Sequence, residues 1–272
     1  MALIASMTIP KSSHWYMQSG EPFYTVPNKS KPGESRKPTL RDARKIGALP
    51  SVTNVLSILA KPGLDVWKRE QAILSALTLP RRNGEDDHTF AHRVAEDSER
   101  ESELAADFGT RIHRHIADYL NGKAPKFYEP TDKPFFDGWV KWWEANQSNL
   151  DNCVVDWKTQ NYGDKDAVFY EEWLWQLAGY GFLVDELPHN KRHVEKSAVN
   201  LEWGYGGCID FVDSPSEMPT LVSVAISSSI PGLVQDKRWS PDEAISGWEV
   251  FKCTLTLWKA IKDYQPATAQ AF

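Results

Sequence analysis

Cysteine is scarce in this chain. Cys153, Cys208 and Cys253 are the three in 272 residues, they lie far apart, and no C-x-x-C pair occurs. That excludes a disulfide framework and a zinc ribbon, and it suits a reducing compartment. Long apolar runs are missing too. None approaches the roughly 18–20 residues that cross a bilayer as a helix, so no membrane partner is expected. Residues 1–6 carry neither the basic region nor the long apolar core of a signal peptide, so a cytoplasmic protein is expected. Disorder is excluded for the bulk of the chain by 41% apolar and 25% charged residues. The length allows one large domain or two small ones with a proper core. Tryptophan, by contrast, is abundant: twelve residues suit a core or cleft built from large rings.

The net charge of −6 argues against a simple basic nucleic-acid coat. It conceals a local asymmetry. Between positions 29 and 45, Lys29, Lys31, Arg36, Lys37, Arg41, Arg44 and Lys45 face only Glu34 and Asp42, which leaves about +5 there and about −11 elsewhere. Residues 1–48 are rich in Pro, Ser, Lys and Gly without a sustained period, so a flexible basic arm with short strands near Trp15 and Phe23 is expected. A hydroxyl cap at 51–53 opens a helix over 52–59, and Pro62-Gly63 breaks it. Helices are expected over 64–79, 85–120, 131–147 and 169–186. Ser240-Pro241-Asp242-Glu243 has the form of a capping box and opens a last helix to about 264. Strands are expected at 152–158 and 222–228, with a hairpin over 199–212. The expectation is therefore an α/β fold in one domain over 49–272, helical over 49–150 and mixed over 151–272.

Four short patterns carry candidate chemistry. Asp156-Trp157-Lys158 is the chain's one acidic-x-Lys triplet. On a strand its two charged side chains leave the same face, where a carboxylate can hold a hard cation and an ammonium can orient water or offset phosphate charge. In Gly207-Cys208-Ile209-Asp210 a single acid sits inside an apolar strand and must face solvent or find a partner. Gln176 and Tyr180 are four apart on one face of an apolar helix. Gly109 to His113 lies on a helix whose apolar stripe is Phe108, Ile112, Ile116 and Tyr119. His113 and His115 flank that stripe on opposite sides, and the helical wheel does not choose between them.

Together these segments resemble the signature of the PD-(D/E)XK nuclease superfamily, in its RecB-like branch that includes the mitochondrial genome maintenance exonuclease and many phage proteins. That signature is a helical G-x-x-x-H, a strand G-x-x-D, a strand D/E-x-K and a helical Q-x-x-x-Y. The stretch Leu49-Pro50-Ser51-Val52-Thr53, with Leu64 and Trp67 downstream, also resembles the first helices of the branch. One departure stands out. Here the D-x-K and Q-x-x-x-Y block, 155–194, precedes the G-x-x-D block, 195–222, whereas the family has them in the other order. A transposition of two segments, natural or engineered, accounts for this, and all three joins fall beside a valine (Val154, Val194 and Val222).

The resemblance implies a restriction-endonuclease-like mixed sheet flanked by helices, with its segment order permuted. It implies an Mg²⁺- or Mn²⁺-dependent deoxyribonuclease, an exonuclease leaving 5′-phosphates, in the cytoplasm of a bacterial or phage-infected cell, serving repair or recombination. Asp156 and Asp210 would be metal ligands, joined by the Trp157 carbonyl and His113. Lys158 would orient the attacking water, and Gln176 and Tyr180 would position Lys158 or the DNA backbone. The substrate would be single-stranded or end-bearing DNA, and no cysteine pattern supports an iron–sulfur cluster. Trp139, Trp142 and Trp143 are open to two roles, base stacking or core packing. The alternatives are a catalytically impaired DNA-binding protein on the same framework and a hydrolase of some other phosphoester.

Overall fold

The computed structural model describes residues 14–189, 191–213 and 219–266. Residues 1–6, read above for a signal peptide, lie outside that range. The fold is mixed α/β. It starts with short strands β1 (Trp15–Tyr16), β2 (Pro22–Phe23), β3 (Val26–Pro27) and β4 (Ser35–Arg36), then helix α1 (Leu40–Ile46) and β5 (Leu49–Pro50). Over 14–48 the short strands expected near Trp15 and Phe23 are present within a folded segment, whereas a flexible arm was expected; residues 1–13 lie outside the described range. β1 pairs with both β2 and β5, and Trp15 and Tyr16 are almost fully buried. Two large rings supply enough apolar area to outweigh the entropy of ordering a polar segment. α1, absent from the sequence reading, is held by a capping box between Thr39 and Asp42, by the Arg36–Asp42 ion pair, and by a left-handed Gly47 at its end.

The remaining helices are α2 (Val52–Leu56), α3 (Pro62–Thr78), α4 (Asp87–Leu120), α5 (Lys133–Asn146), α6 (Glu171–Gly181) and α7 (Pro241–Lys262). α4 has 34 residues, a length of about 50 Å, and Asp86 caps it by accepting from the N–H groups of His88 and Thr89. Ser240 and Glu243 form the expected capping box on α7. The main strands are β6 (Cys153–Gln160), β7 (His193–Asn200), β8 (Tyr205–Val212), β9 (Thr220–Ser227) and β10 (Val234–Arg238). They form one sheet in the order β10-β9-β6-β8-β7, with β6 and β9 parallel and the other pairs antiparallel.

Two apolar cores hold helices to the sheet. One joins α2, α6 and α7 to Val154, Ile209 and Leu221. The other joins Ile112 and Ile116 of α4 and the aromatic face of α5 to Val155, Trp157, Phe211, Val222 and Val224. Trp139, Trp142 and Trp143 belong to the second core and are buried against one another and Trp157. Of their two open roles, the structure gives them core packing. Among the described residues, no helix is long and apolar enough to cross a membrane.

Candidate active site

The strand register brings the acids together. The β6–β8 ladder consists of Val154↔Val212 and Val155↔Phe211. One step further along, Asp156 comes opposite Asp210. There the ladder ends, because Asp210 Oδ2 accepts the main-chain N–H of Trp157 at 3.0 Å in place of a strand carbonyl. On the other side of β8, Val194↔Phe211 and Lys196↔Ile209 place Glu195 opposite the same Asp210. Glu195 has a left-handed backbone with φ of 48° and interrupts that pairing. The side-chain alternation of β8 breaks here. Ile209 belongs to the α6–α7 core and Phe211 to the α4–α5 core, although strict alternation would put both on one face. Three carboxylates from three adjacent strands thus line up where the sheet opens.

Lys158, two residues along β6, points to the same place. Its Nζ donates to Asp156 Oδ1 at 3.1 Å and to Gln176 Oε1 at 3.2 Å, and it lies 2.8 Å from Asp156 Oδ2. Gln176 in turn donates through Nε2 to the Tyr180 hydroxyl at 2.8 Å. A chain of hydrogen bonds therefore runs from α6 to the β6 carboxylate and fixes the ammonium. The glycine of the G-x-x-D pattern has a packing reason. A Cβ on Gly207 would lie 2.8 Å from Tyr180 Cε1, so only glycine admits that ring.

The glycine of the helical pattern works in the same way. A Cβ on Gly109 would lie 2.8 Å from Thr159 Oγ1, so α4 crosses the end of β6 at close range. One turn on, His113 Nδ1 lies 3.5 Å from Asp210 Oδ2. The His113 ring also lies against the Trp157 main chain. The choice between the two histidines is settled here. His115 is buried among Phe127 and Phe136, 3.7 Å from Asp132, on the other side of the helix.

Burial governs the electrostatics. It pushes Asp156 up to about 6, with Lys158 pulling the other way and Asp210 adding to the rise. Asp210 is raised by the same loss of hydration, against the pull of Lys158 and the Trp157 N–H. Glu195 keeps solvent-exposed surface, yet its carboxyl is pushed up to about 8, first by lost hydration and then by Asp210 and Asp156. The Cys208 thiol donates to Glu195 Oε2 at 3.6 Å. His113 is pulled down to about 4, chiefly by burial and then by Lys158, so its ring is neutral at pH 7 and a lone pair is available.

This donor set fits a divalent cation. Asp156 and Asp210 lie within hydrogen-bonding reach of each other, and two carboxylates side by side without a cation repel. Asp156 Oδ2 is buried and takes no aligned hydrogen bond despite the nearby ammonium. The Lys158 ammonium offsets its charge without an aligned hydrogen bond, which leaves the oxygen able to accept an ion or water. Among the described residues, one grouping of three has metal-site spacing, and it does not include Asp156. Ligand atoms of His113, Glu195 and Asp210 all lie within 4.8 Å of one another.

A cleft of about 540 Å³ opens beside Lys158 and Gln176. Trp67, Tyr170, Trp173 and Trp175 line it, together with the small residues Ser102, Ala105 and Ala106 of α4. The first turn of α3 bounds it closely, since a Cβ on Gly63 would lie 2.9 Å from Tyr170 Cε1.

Comparison with models of protein families, with curated proteins and with solved structures gives no match in any of the three.

Every residue named from the sequence as a site candidate, Asp156, Trp157, Lys158, Gln176, Tyr180, Asp210 and His113, lies in this one cluster. Glu195 was missed. The hairpin was read only from 199. Counting its pairing back from the turn to His193 would have set Glu195 opposite Asp210.

Proposed function

We propose that the chain is a metal-dependent DNA phosphodiesterase. The observation that carries this reading is the convergence of Asp156, Lys158 and Asp210 from two strands, with Gln176 and Tyr180 bracing the lysine. The sheet topology supports the permuted restriction-endonuclease-like reading. The G-x-x-D strand β8 lies beside the D-x-K strand β6, and the Q-x-x-x-Y helix α6 packs on both. This adjacency of β8, β6 and α6 supports reading the segments as the family signature visited in another order.

Asp156, Asp210 and the Trp157 carbonyl would hold Mg²⁺ or Mn²⁺, with His113 at the side. Such a cation supplies an electrophile for the phosphate and an acidified water. Lys158, held between Asp156 and Gln176, would orient a water and offset charge growing on the phosphoryl oxygens. Gln176 and Tyr180 keep the ammonium from swinging into solvent. The cleft lined by Trp67, Tyr170 and Trp173 suits the bases of a single strand or a frayed end, because rings accept any base by stacking. The family resemblance implies a 5′-phosphate product.

The test is cleavage of end-labelled single-stranded and duplex DNA with Mg²⁺ or Mn²⁺, then with a chelator. Chelator-sensitive cleavage that disappears in Asp156→Ala and Lys158→Ala supports the reading. Salt-sensitive DNA binding with no cleavage under any metal would favour the impaired DNA-binding alternative. Faster turnover of small phosphoesters than of DNA would favour a different hydrolase.

A further inference from the structure

The basic stretch between positions 29 and 45 takes no part in the site described above, yet it is firmly held. Arg44 donates through Nη2 to the main-chain oxygens of Lys262 and Asp263 at the end of α7, at 2.6 and 2.9 Å. The Tyr264 hydroxyl donates to the carbonyls of Ala43 and Ala48. Ala43 is buried, and Leu40 packs on the core that α2, α6 and α7 share. These ties fix which face of α1 looks outward. Arg41 and Lys45, four apart, lie together on that face. Lys37 is exposed just before the helix.

We propose that Lys37, Arg41 and Lys45 form a docking surface for the phosphate backbone of duplex DNA, away from the bond that is cut. The choice of DNA rests on the nuclease reading, and the surface extends that reading to the double-stranded part of the substrate.

Three observations carry it. First, the positive charge is uncommitted. Asp42, the one acid of α1, is taken up by Arg36 at 2.7 Å and by the N–H and hydroxyl of Thr39. Among the described residues, Lys37, Arg41 and Lys45 make no ion pair. Complementary potential from such a surface steers a polyanion, even on a chain of net charge −6. Second, the arrangement costs stability in the free protein. Arg41 stands in the first turn of α1, where the helix dipole disfavours a cation. Like charges four apart on a helix also repel. A bound polyanion offsets both. Third, the rings lie elsewhere. Single-strand sites combine cations with stacking rings. Here Trp67, Tyr170 and Trp173 line the cleft, whereas α1 carries no aromatic residue. Cations without rings suit a backbone whose bases stay paired.

One DNA molecule can reach both places. Ser51 bridges to Gly206 of β8, four residues from Asp210. Counted from Lys45 to Ser51, across to Gly206 and on to Asp210, the path is at most about 40 Å. About twelve base pairs cover that length at about 3.4 Å per step.

The test is fluorescence anisotropy of the full chain with a labelled duplex of about 24 base pairs, twice that reach. It is run in chelator, so that nothing is cut, over a range of salt. Wild type should bind, with log affinity falling linearly against log salt. Lys37→Gln/Arg41→Gln/Lys45→Gln removes three phosphate contacts, so the slope should shrink by about 2.7. Lys123→Gln/Lys126→Gln/Lys141→Gln makes the same charge change at exposed positions elsewhere and should shrink it by less than about one. On a short single strand the α1 variant should bind as wild type does. Arg36 and Arg44, which tie the segment down, stay in place, and far-ultraviolet dichroism with thermal melting checks the fold. No duplex binding by wild type, an unchanged slope in the folded α1 variant, or an equal loss in the control variant overturns the surface. An unchanged slope with lost binding of polyglutamate gives the face to an acidic protein instead, and also overturns it. The nuclease reading is judged apart from this. Wild type that cuts no DNA with Mg²⁺ or Mn²⁺ sinks that reading, and the slopes in chelator still decide the surface.

Discussion

Asp210 accepts the main-chain N–H of Trp157 through Oδ2 at 3.0 Å, and this bond ties the two candidate ligand strands together where their ladder stops. A carboxylate here does the work of a strand carbonyl while keeping its other oxygen for a ligand. Asp210→Asn can keep the shape but not the charge. It should retain the fold, measured by near-ultraviolet dichroism, and lose all high-affinity Mn²⁺ and all cleavage.

Lys158 should be needed for the chemical step and not for the fold. Lys158→Met removes the ammonium while keeping most of the stem. Cleavage is expected to fall by about 100- to 1000-fold, the scale of losing one placed electrostatic group. Dissociation constants for DNA should change by less than tenfold. An equal loss in binding and in turnover would make Lys158 a phosphate-binding group only.

Gly207 should tolerate no side chain. In Gly207→Ala the new methyl meets the Tyr180 ring at 2.8 Å, and overpacking of this kind costs about 1–3 kcal/mol. Urea unfolding measures that cost. Because Tyr180 braces Gln176 and so Lys158, cleavage should drop further than the fraction unfolded explains.

Trp139 should be a core residue without a direct part in DNA binding. It is fully buried between Phe136, Trp143 and Trp157. Trp139→Ala is expected to cost about 3–5 kcal/mol of stability. Trp173→Ala, in the cleft, should instead weaken single-stranded DNA binding, with about 1–3 kcal/mol at stake for a stacked base, and leave the melting temperature nearly unchanged.

In chelator, stability should fall as pH rises from about 6.5 to 8. Glu195 has its carboxyl raised to about 8 in the folded protein, against about 4.3 unfolded. The folded state therefore binds more protons in that window, and its advantage is lost as they leave. His113 works the other way at the low end, being pulled down to about 4 when folded against about 6.5 unfolded, so the Glu195 slope is read above about pH 7.5. Thermal melts across this range measure the slope, and Glu195→Gln should flatten it. Saturating Mn²⁺ should reverse it, because cation binding requires the deprotonated carboxylates.

Much of this was legible in the residues. The capping boxes, breakers and apolar periods of α2 to α7 are local signals, and the strands carrying Asp156 and Asp210 were placed to within a few residues. The folded segment around Trp15 and α1 was not, because polar composition there outweighed two rings whose burial depends on β5 and the distant Trp258 and Tyr264. Glu195 was not legible either, since nothing near it in the chain marks a site.

By itself the sequence marked Asp156, Lys158, Gln176, Tyr180, Asp210 and His113 as site candidates and placed α2 to α7 and the strands of the two acids, because those choices depend on neighbours a few residues away. Only the tertiary structure decided which acids share a point in space, which histidine joins them, and that Glu195 belongs with them. Those facts follow from strand pairing, and pairing is fixed by cores that close only when the whole sheet is assembled.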